Sequence, residues 1–243
     1  QEYQIYGIRA VMEALEAGKT LDKVFVQKGL QGNLFRELLS LLQQAQVPVQ
    51  YVPVEKLNRL TKKNHQGVVA TLSPVDYHNF EDLVISVTES GATPLFLLLD
   101  HLSDVRNFGA IIRTAECAGV SGIIIPKRGS VSITADTVKT SAGAVFRVPI
   151  CKVENLVDVV YYLQGSGIRV VAATEKTNQL LYTEDFTVPT AIVMGAEDVG
   201  ISPAVLKVVD SKAKLPMKGE IGSLNVSVAC AVFLYEVVRQ RGN

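Results

Sequence analysis

The chain has 243 residues, of which 48% are apolar and 20% charged. That is the composition of an ordinary globular protein, with room for one large domain or two modest ones, and it excludes a disordered or coiled-coil chain. The 24 Lys and Arg are matched by 24 Asp and Glu, which argues against a uniform coat of basic charge but says nothing about its distribution. Divided near residue 75, the first part holds 9 basic and 6 acidic residues, a net +3, and the remainder is −3.

Cys117, Cys151 and Cys230 lie in apolar contexts without a CxxC pair, and His65, His78 and His101 are not spaced from them as zinc ligands. No metal is expected. A sparse, odd cysteine count fits a reducing compartment, where free cysteines act as small core hydrophobes. The chain starts Gln-Glu-Tyr-Gln, without a basic-then-apolar leader, and no apolar run approaches the roughly 18 residues of a membrane span. A cytoplasmic protein with no membrane partner is expected.

Residues 1–75 read as a small α/β domain. Ile8, Val11, Met12 and Leu15 recur at helical spacing, and Gly18 stops the helix. A strand is expected at 24–27 and a helix around Leu34, Phe35, Leu38, Leu39 and Leu42. A strand at 47–52, a short helix at 53–60 and a strand at 67–72 follow. Arg59, Lys62 and Lys63 stand just before Asn64-His65-Gln66-Gly67. A charge run of three is ordinarily a solvated turn; in a functional reading these residues, with His65, are a candidate electrostatic footprint for a phosphate backbone.

Apolar periodicity weakens over 76–93, which predicts a linker with at most one short helix. From 94 to 243 strands alternate with helices. Continuous apolar runs at 95–99, 122–125, 169–173 and 191–194 predict strands buried on both faces of a parallel sheet. Helices are expected at 109–118, 134–142, 154–163 and 202–209, with a long terminal one at 223–240. This is an α/β layered domain.

In such sheets ligands bind beyond the carboxyl ends of the strands. The loop from Asp100 to Ala110 is unusually polar. The segment Ala173-Thr174-Glu175-Lys176 is uninformative alone. The loop from Met194 to Ser202 is glycine-rich, and its glycines allow close approach of a ligand. The segment from Leu215 to Ser227 places Asn225 and Ser227 in the first turns expected of an apolar helix. Taken singly, Asn107, Ser223 and Asn225 read as helix caps. There is no Walker loop and no GxGxxG after a strand, so an NTPase or a nicotinamide oxidoreductase has no support.

The three polar loops in this order are more specific than any one of them. Asn107-x-Gly109-Ala110-x-x-Arg113-Thr114-Ala115, then Met194-Gly195-Ala196-Glu197, then Pro216-Met217-x-Gly219-x-x-x-Ser223-Leu224-Asn225-Val226-Ser227-Val228-Ala229 resemble the motifs of the SpoU (TrmH-like) RNA ribose 2′-O-methyltransferases of the SPOUT superfamily. The resemblance spans the chain: Ile5-Tyr6-Gly7 and His65-Gln66-Gly67-Val68 look like the family's amino-terminal substrate-binding domain. The nearest subgroup methylates a guanosine in the P loop of 23S ribosomal RNA, and the closing Glu236-Val237-Val238-Arg239-Gln240-Arg241 also resembles it.

The resemblance implies a carboxyl-terminal SPOUT domain with a parallel sheet and a deep trefoil knot, preceded by a small α/β (L30e-like) RNA-binding domain. It implies a homodimer joined through the terminal helix and S-adenosylmethionine as cofactor. Cofactor contacts carry over to Thr174, Glu175, Gly195, Leu215, Met217 and Leu224. Catalytic roles carry over to Arg113, Asn107, Glu197, Ser223 and Asn225. Arg113 matches an arginine proposed in the family as general base; a guanidinium stays protonated, so a fork clamping the target phosphate and stabilising the developing alkoxide is the simpler role. Two positions depart from the family pattern: Val105 stands where proline is usual and Asp198 where glycine is common, which alters loop rigidity. Other readings are a tRNA ribose methyltransferase, a resistance-type enzyme acting on another rRNA nucleotide, and a catalytically silent RNA-binding assembly factor.

Overall fold

The computed structural model describes residues 4–196 and 198–242, and the chain divides into two units. One runs to Asp76 and takes in Ser132–Ala135; the other comprises Tyr77–Val131 and the chain from Asp136 onward.

The first unit contains β1 (Gln4–Tyr6), α1 (Ile8–Glu16), β2 (Leu21–Gln27), α2 (Asn33–Gln44), β3 (Val49–Val52), α3 (Val54–Leu60) and β4 (Val68–Leu72). Its sheet has the order β1-β4-β2-β3, parallel only between β2 and β3. Val11 of α1 and Phe35, Leu38 and Leu42 of α2 are buried against Val24, Val26, Val68 and Ala70, while α3 packs Leu57 against Val52 and Val69. Helices therefore cover both faces. Gly18, at φ 71°, ends α1: its amide donates to the Leu15 carbonyl and that of Lys19 to Ala14, a closure that needs a left-handed residue.

The second unit contains α4 (Phe80–Glu89), β5 (Leu95–Asp100), α5 (Val105–Cys117), β6 (Gly122–Pro126), α6 (Ala135–Thr140), β7 (Ile150–Val153), α7 (Leu156–Gly165), β8 (Arg169–Ala173), β9 (Thr190–Gly195), α8 (Pro203–Val208), β10 (Ser211–Ala213) and α9 (Val226–Arg241). The six strands form a fully parallel sheet in the order β10-β8-β9-β5-β6-β7. Every residue of β5 and β6 is buried, as a sheet covered on both faces requires. One face packs Phe96, Leu98, Ile124, Val170 and Val193 against α4, α7 and α8. The alternate residues Leu97, Leu99, Ile123 and Ile192 are also fully buried, on the side where α9 lies against β9 and α5 against α9.

Several expectations are corrected. The segment expected as a linker with at most one short helix carries one helix, α4, and what was not anticipated is that its Phe80 and Val84 are part of the core, behind an outer face that is acidic. Helix α5 starts at Val105, four residues before the predicted start, because the cap is Asp104, whose carboxylate accepts the Asn107 amide at 2.7 Å. Helix α9 starts at Val226 under an Asn225 cap, not at Ser223. Strands β1, β7 and β10, each three or four residues long, were not anticipated, since they are held by their neighbours in the sheet rather than by any periodicity of their own. Cys151 and Cys230 are buried, which pushes their thiols up to about 12, but Cys117 is exposed.

The chain leaves β5 through β6 and β7 to one edge, then crosses to β8, β9 and β10 on the other side. The crevice at this reversal opens between the carboxyl ends of β5 and β9, where Asp100 and Gly195 are paired in register. Open parallel sheets bind their ligands at such a point.

Candidate active site

The buried Asp100, ending β5, ties the loops at this crevice together. One carboxylate oxygen accepts the Ser202 amide at 2.7 Å and the other meets Nδ1 of His101. His101 has φ 58°, a left-handed conformation uncommon outside glycine. An acidic residue closing a run of apolar ones was the available signal, yet Asp100 was not among the expected site residues.

Gly195 has no room for a side chain whatever binds beside it. A Cβ there would lie 2.3 Å from the Gly200 carbonyl carbon and the Ile201 nitrogen. The space is taken by the chain's own backbone, which returns as the Gly200 amide donates to the Ala196 carbonyl at 2.9 Å. Gly109 is likewise a packing position: a Cβ would fall 1.9 Å from Thr140 Oγ1, so its absence lets α5 lie against the end of α6.

Asn107, in the first turn of α5, is half-buried, and its Oδ1 accepts a hydrogen bond from Asn225 Nδ2 at 3.0 Å. The Asn225 Oδ1 caps α9, accepting the amides of Ser227 at 3.0 Å and Val228 at 3.4 Å and the Ser227 hydroxyl at 2.6 Å. The capping role and the polar contact thus coexist in one amide. Arg113 lies two turns along α5, exposed and without an ion pair among the described residues. Glu197 lies outside the described residues.

Beside Asn225 the segment after β10 walls a cleft of about 650 Å³, within the usual range for small-molecule sites. Leu215, Met217, Ser223, Leu224 and Asn225 line it; so do Tyr182 and Val232, which the sequence did not suggest. Met217 and Leu224 expose 38% and 42% of their surface, apolar area that a bound adenosyl or methionyl group would cover. Thr174 and Glu175 follow β8 beside β10, where the Thr174 amide donates to the Ala213 carbonyl at 3.0 Å and its hydroxyl accepts the Lys176 amide at 3.2 Å. The cleft's size, and the apolar wall that Leu215, Met217 and Leu224 give it, fit a group of the dimensions of S-adenosylmethionine.

In the first unit, Arg59 and Lys62 are exposed. Lys63 lies over the Tyr6 ring, 5.4 Å from its centroid, and a hydrogen bond to Tyr6 holds the ammonium above its ordinary pKa. His65 is occupied internally: Nδ1 accepts the Gly67 amide at 3.0 Å and Nε2 faces Asn58 Oδ1 at 3.0 Å. It fixes the turn into β4.

The closing segment of α9 is an anchor. Arg241 donates to the carbonyls of Thr93, Pro94, Phe186 and Val188 at 2.9–3.0 Å, binding the helix end to the chain entering β5 and β9. No described helix is long and apolar enough to cross a membrane.

The SpoU rRNA Methylase family matches residues 94–235, and the family described as RNA 2′-O ribose methyltransferase substrate binding matches residues 4–78. A TrmH family tRNA/rRNA methyltransferase of Staphylococcus saprophyticus is 38% identical over 242 residues, which is 99% of this chain and 97% of that protein. The SpoU methyltransferase AviRb of Streptomyces viridochromogenes, solved with its cofactor AdoMet, superposes with a TM-score of 0.61 at 26% identity, covering 98% of this chain and 90% of that one. An AdoMet-bound rRNA methyltransferase of Sinorhizobium meliloti gives a TM-score of 0.61 at 26% identity, covering 98% and 87%. With its motif loops gathered at the switch of a parallel sheet and relatives matching along its whole length, the chain belongs to the SpoU/TrmH family of S-adenosylmethionine-dependent RNA ribose 2′-O-methyltransferases.

Proposed function

We propose that the chain methylates the ribose 2′-oxygen of a guanosine in the P loop of 23S ribosomal RNA, in the cytoplasm and as a homodimer, through a knotted carboxyl-terminal domain spanning 94–243. Its amino-terminal domain, residues 1–75, engages the RNA, with Arg59, Lys62 and Lys63 among the contacts. The observation that carries this reading is the hydrogen bond from Asn225 to Asn107, which sets the polar groups of the first and last motifs beside the cleft.

Bound S-adenosylmethionine supplies an electrophilic methyl group. Thr174, Glu175, Gly195, Leu215, Met217 and Leu224 are assigned to hold it, by backbone groups and by the apolar wall. As the 2′-oxygen attacks, its proton would pass to solvent water, no side chain being assigned as base, and the displaced thioether would leave as S-adenosylhomocysteine. Arg113, a fixed fork of donors, clamps the target phosphate and stabilises the developing alkoxide without changing protonation. Asn107, Glu197, Ser223 and Asn225 orient the ribose and the arginine.

The dimer reading is supported by Val228, Val232 and Tyr235, at helical spacing on α9. Val228 and Tyr235 are each 50% exposed, and Val232 also borders the cleft. Such a stripe ordinarily finds a partner. Val228→Glu should turn a dimer into a monomer in sedimentation and depress methyl transfer.

The deciding experiment is methyl incorporation from labelled cofactor into 23S RNA and tRNA, with the modified nucleotide mapped by its resistance to alkaline cleavage. Transfer to the ribose 2′-oxygen of a P-loop guanosine is expected; transfer only to tRNA would establish the tRNA reading, which the tRNA/rRNA description of the Staphylococcus relative keeps as the second one.

A further inference from the structure

The +3 charge of the first 75 residues has a single origin. Outside residues 55–63 this part holds five basic and five acidic residues; within them Lys56, Arg59, Lys62 and Lys63 face only Glu55. All four cations are exposed, and none forms an ion pair among the described residues.

Two of the four are nonetheless held in place, by aromatic rings. Lys56 Nζ sits 4.9 Å from the centroid of Phe25, and Lys63 Nζ 5.4 Å from that of Tyr6. Phe25 and Tyr6 are neighbours across Val69, which is in register with both, on the sheet face that α3 covers. Both rings are anchored by packing against Val52, Leu57 and Val69. A cation held against an aromatic ring keeps its charge while losing rotamer freedom, and the hydrogen bond of Lys63 to Tyr6 occupies only one of its three donors. An ion pair would have neutralised it, and free solvent would have left it mobile.

We propose that Phe25 and Tyr6 preorganise Lys56 and Lys63 as a two-point clamp for phosphates of the RNA substrate, flanked by the exposed cations Arg59 and Lys62. This rests on the RNA reading given above and assigns a face and a mode of recognition within it. The conformational entropy usually lost when a lysine closes on a phosphate is here lost at folding. His65, with both ring nitrogens engaged internally, supports the turn and does not read the RNA.

The test is the affinity of the full-length chain for a fluorescent RNA stem–loop as salt is varied. Lys56→Met and Lys63→Met should each make the log–log salt slope shallower by about 0.7 to 0.9, the contribution of one phosphate contact. Lys19→Met, which removes an exposed lysine elsewhere in the unit, should change neither slope nor affinity. Phe25→Leu and Tyr6→Leu remove no charge, so they should keep the slope while weakening binding by about two- to tenfold, the ordering cost of one side chain. If either aromatic variant fails to fold by its melting curve, the lysine variants decide alone. Unchanged slopes for both lysine variants, with the unaltered chain still binding RNA, would overturn the clamp and leave the methyltransferase reading intact. Equal losses for Lys19→Met would also overturn it, since any lysine would then serve. An unaltered chain that binds no RNA would overturn both readings.

Discussion

Asn225 donates from Nδ2 to Asn107 Oδ1 across 118 residues of sequence while its own Oδ1 caps α9. One side chain thus sets both the start of the terminal helix and the position of the first motif. The two roles separate in Asn225→Ser. Serine is as good a cap as asparagine, so the melting temperature should stay within a few degrees, but its hydroxyl is too short to serve as cap and reach Asn107 as well. A misplacement of about 1 Å at a reacting centre costs on the order of a hundredfold. Single-turnover methyl transfer should fall by about that factor with cofactor affinity little changed. Unaltered turnover would detach the Asn107 contact from the chemistry.

Arg113 is exposed on α5 without an ion pair among the described residues, so its removal should leave the fold untouched. Arg113→Ala is expected to lower methyl transfer by at least about a hundredfold, the usual effect of deleting a group that stabilises developing charge. Cofactor binding measured by calorimetry should survive. Arg113→Lys should recover little, since a single ammonium cannot replace a planar fork. Substantial rescue by lysine would mean that only the charge matters.

The order of strands and helices in the second unit was legible because buried parallel strands announce themselves as unbroken apolar runs, as at 95–99. The exact helix starts were not. Several polar residues could cap each helix, and the choice of Asp104 over Asn107 depends on how the loop packs. The Asn107–Asn225 pairing joins segments too distant for any local pattern to connect. Tyr182 was invisible for another reason: it sits in a single 3-10 turn, Leu181–Thr183, with no periodicity to mark it. The closing Glu236-to-Arg241 sequence offered no more than a resemblance, and its work as an anchor to backbone carbonyls emerged only from the structure.

Gly195→Ala provides a test of the glycine-rich loop. The added methyl would sit 2.3 Å from backbone atoms of Gly200 and Ile201, which have no rotamer through which to move aside. Overpacking of this kind costs about 1–3 kcal/mol. A lower melting temperature is expected, together with weakened binding of S-adenosylhomocysteine as the loop is displaced. Wild-type stability in this variant would show that the loop is free to lift, and that Gly195 is glycine for the sake of a ligand after all.

The last prediction concerns acid stability. Glu236, only 6% exposed, accepts from Arg239 Nε and Nη2 and from Gln240 Nε2, each at 2.8 Å. The Arg239 hydrogen bonds, aided by Gln240, hold the carboxyl below its ordinary 4.5 despite the opposing effect of burial. A carboxylate whose pKa is lower in the folded chain stabilises it above the unfolded value, and loses that contribution as pH falls through the folded one. The advantage of the natural chain over Glu236→Gln should therefore be full at neutral pH, begin to shrink near pH 4.5 and disappear in stronger acid. Its size is modest, because Arg239 is largely solvated and the pair is correspondingly screened. Melting curves of both proteins from pH 7 downward measure it. A constant difference across that range would mean that Glu236 contributes through packing and hydrogen-bond shape, with its charge irrelevant.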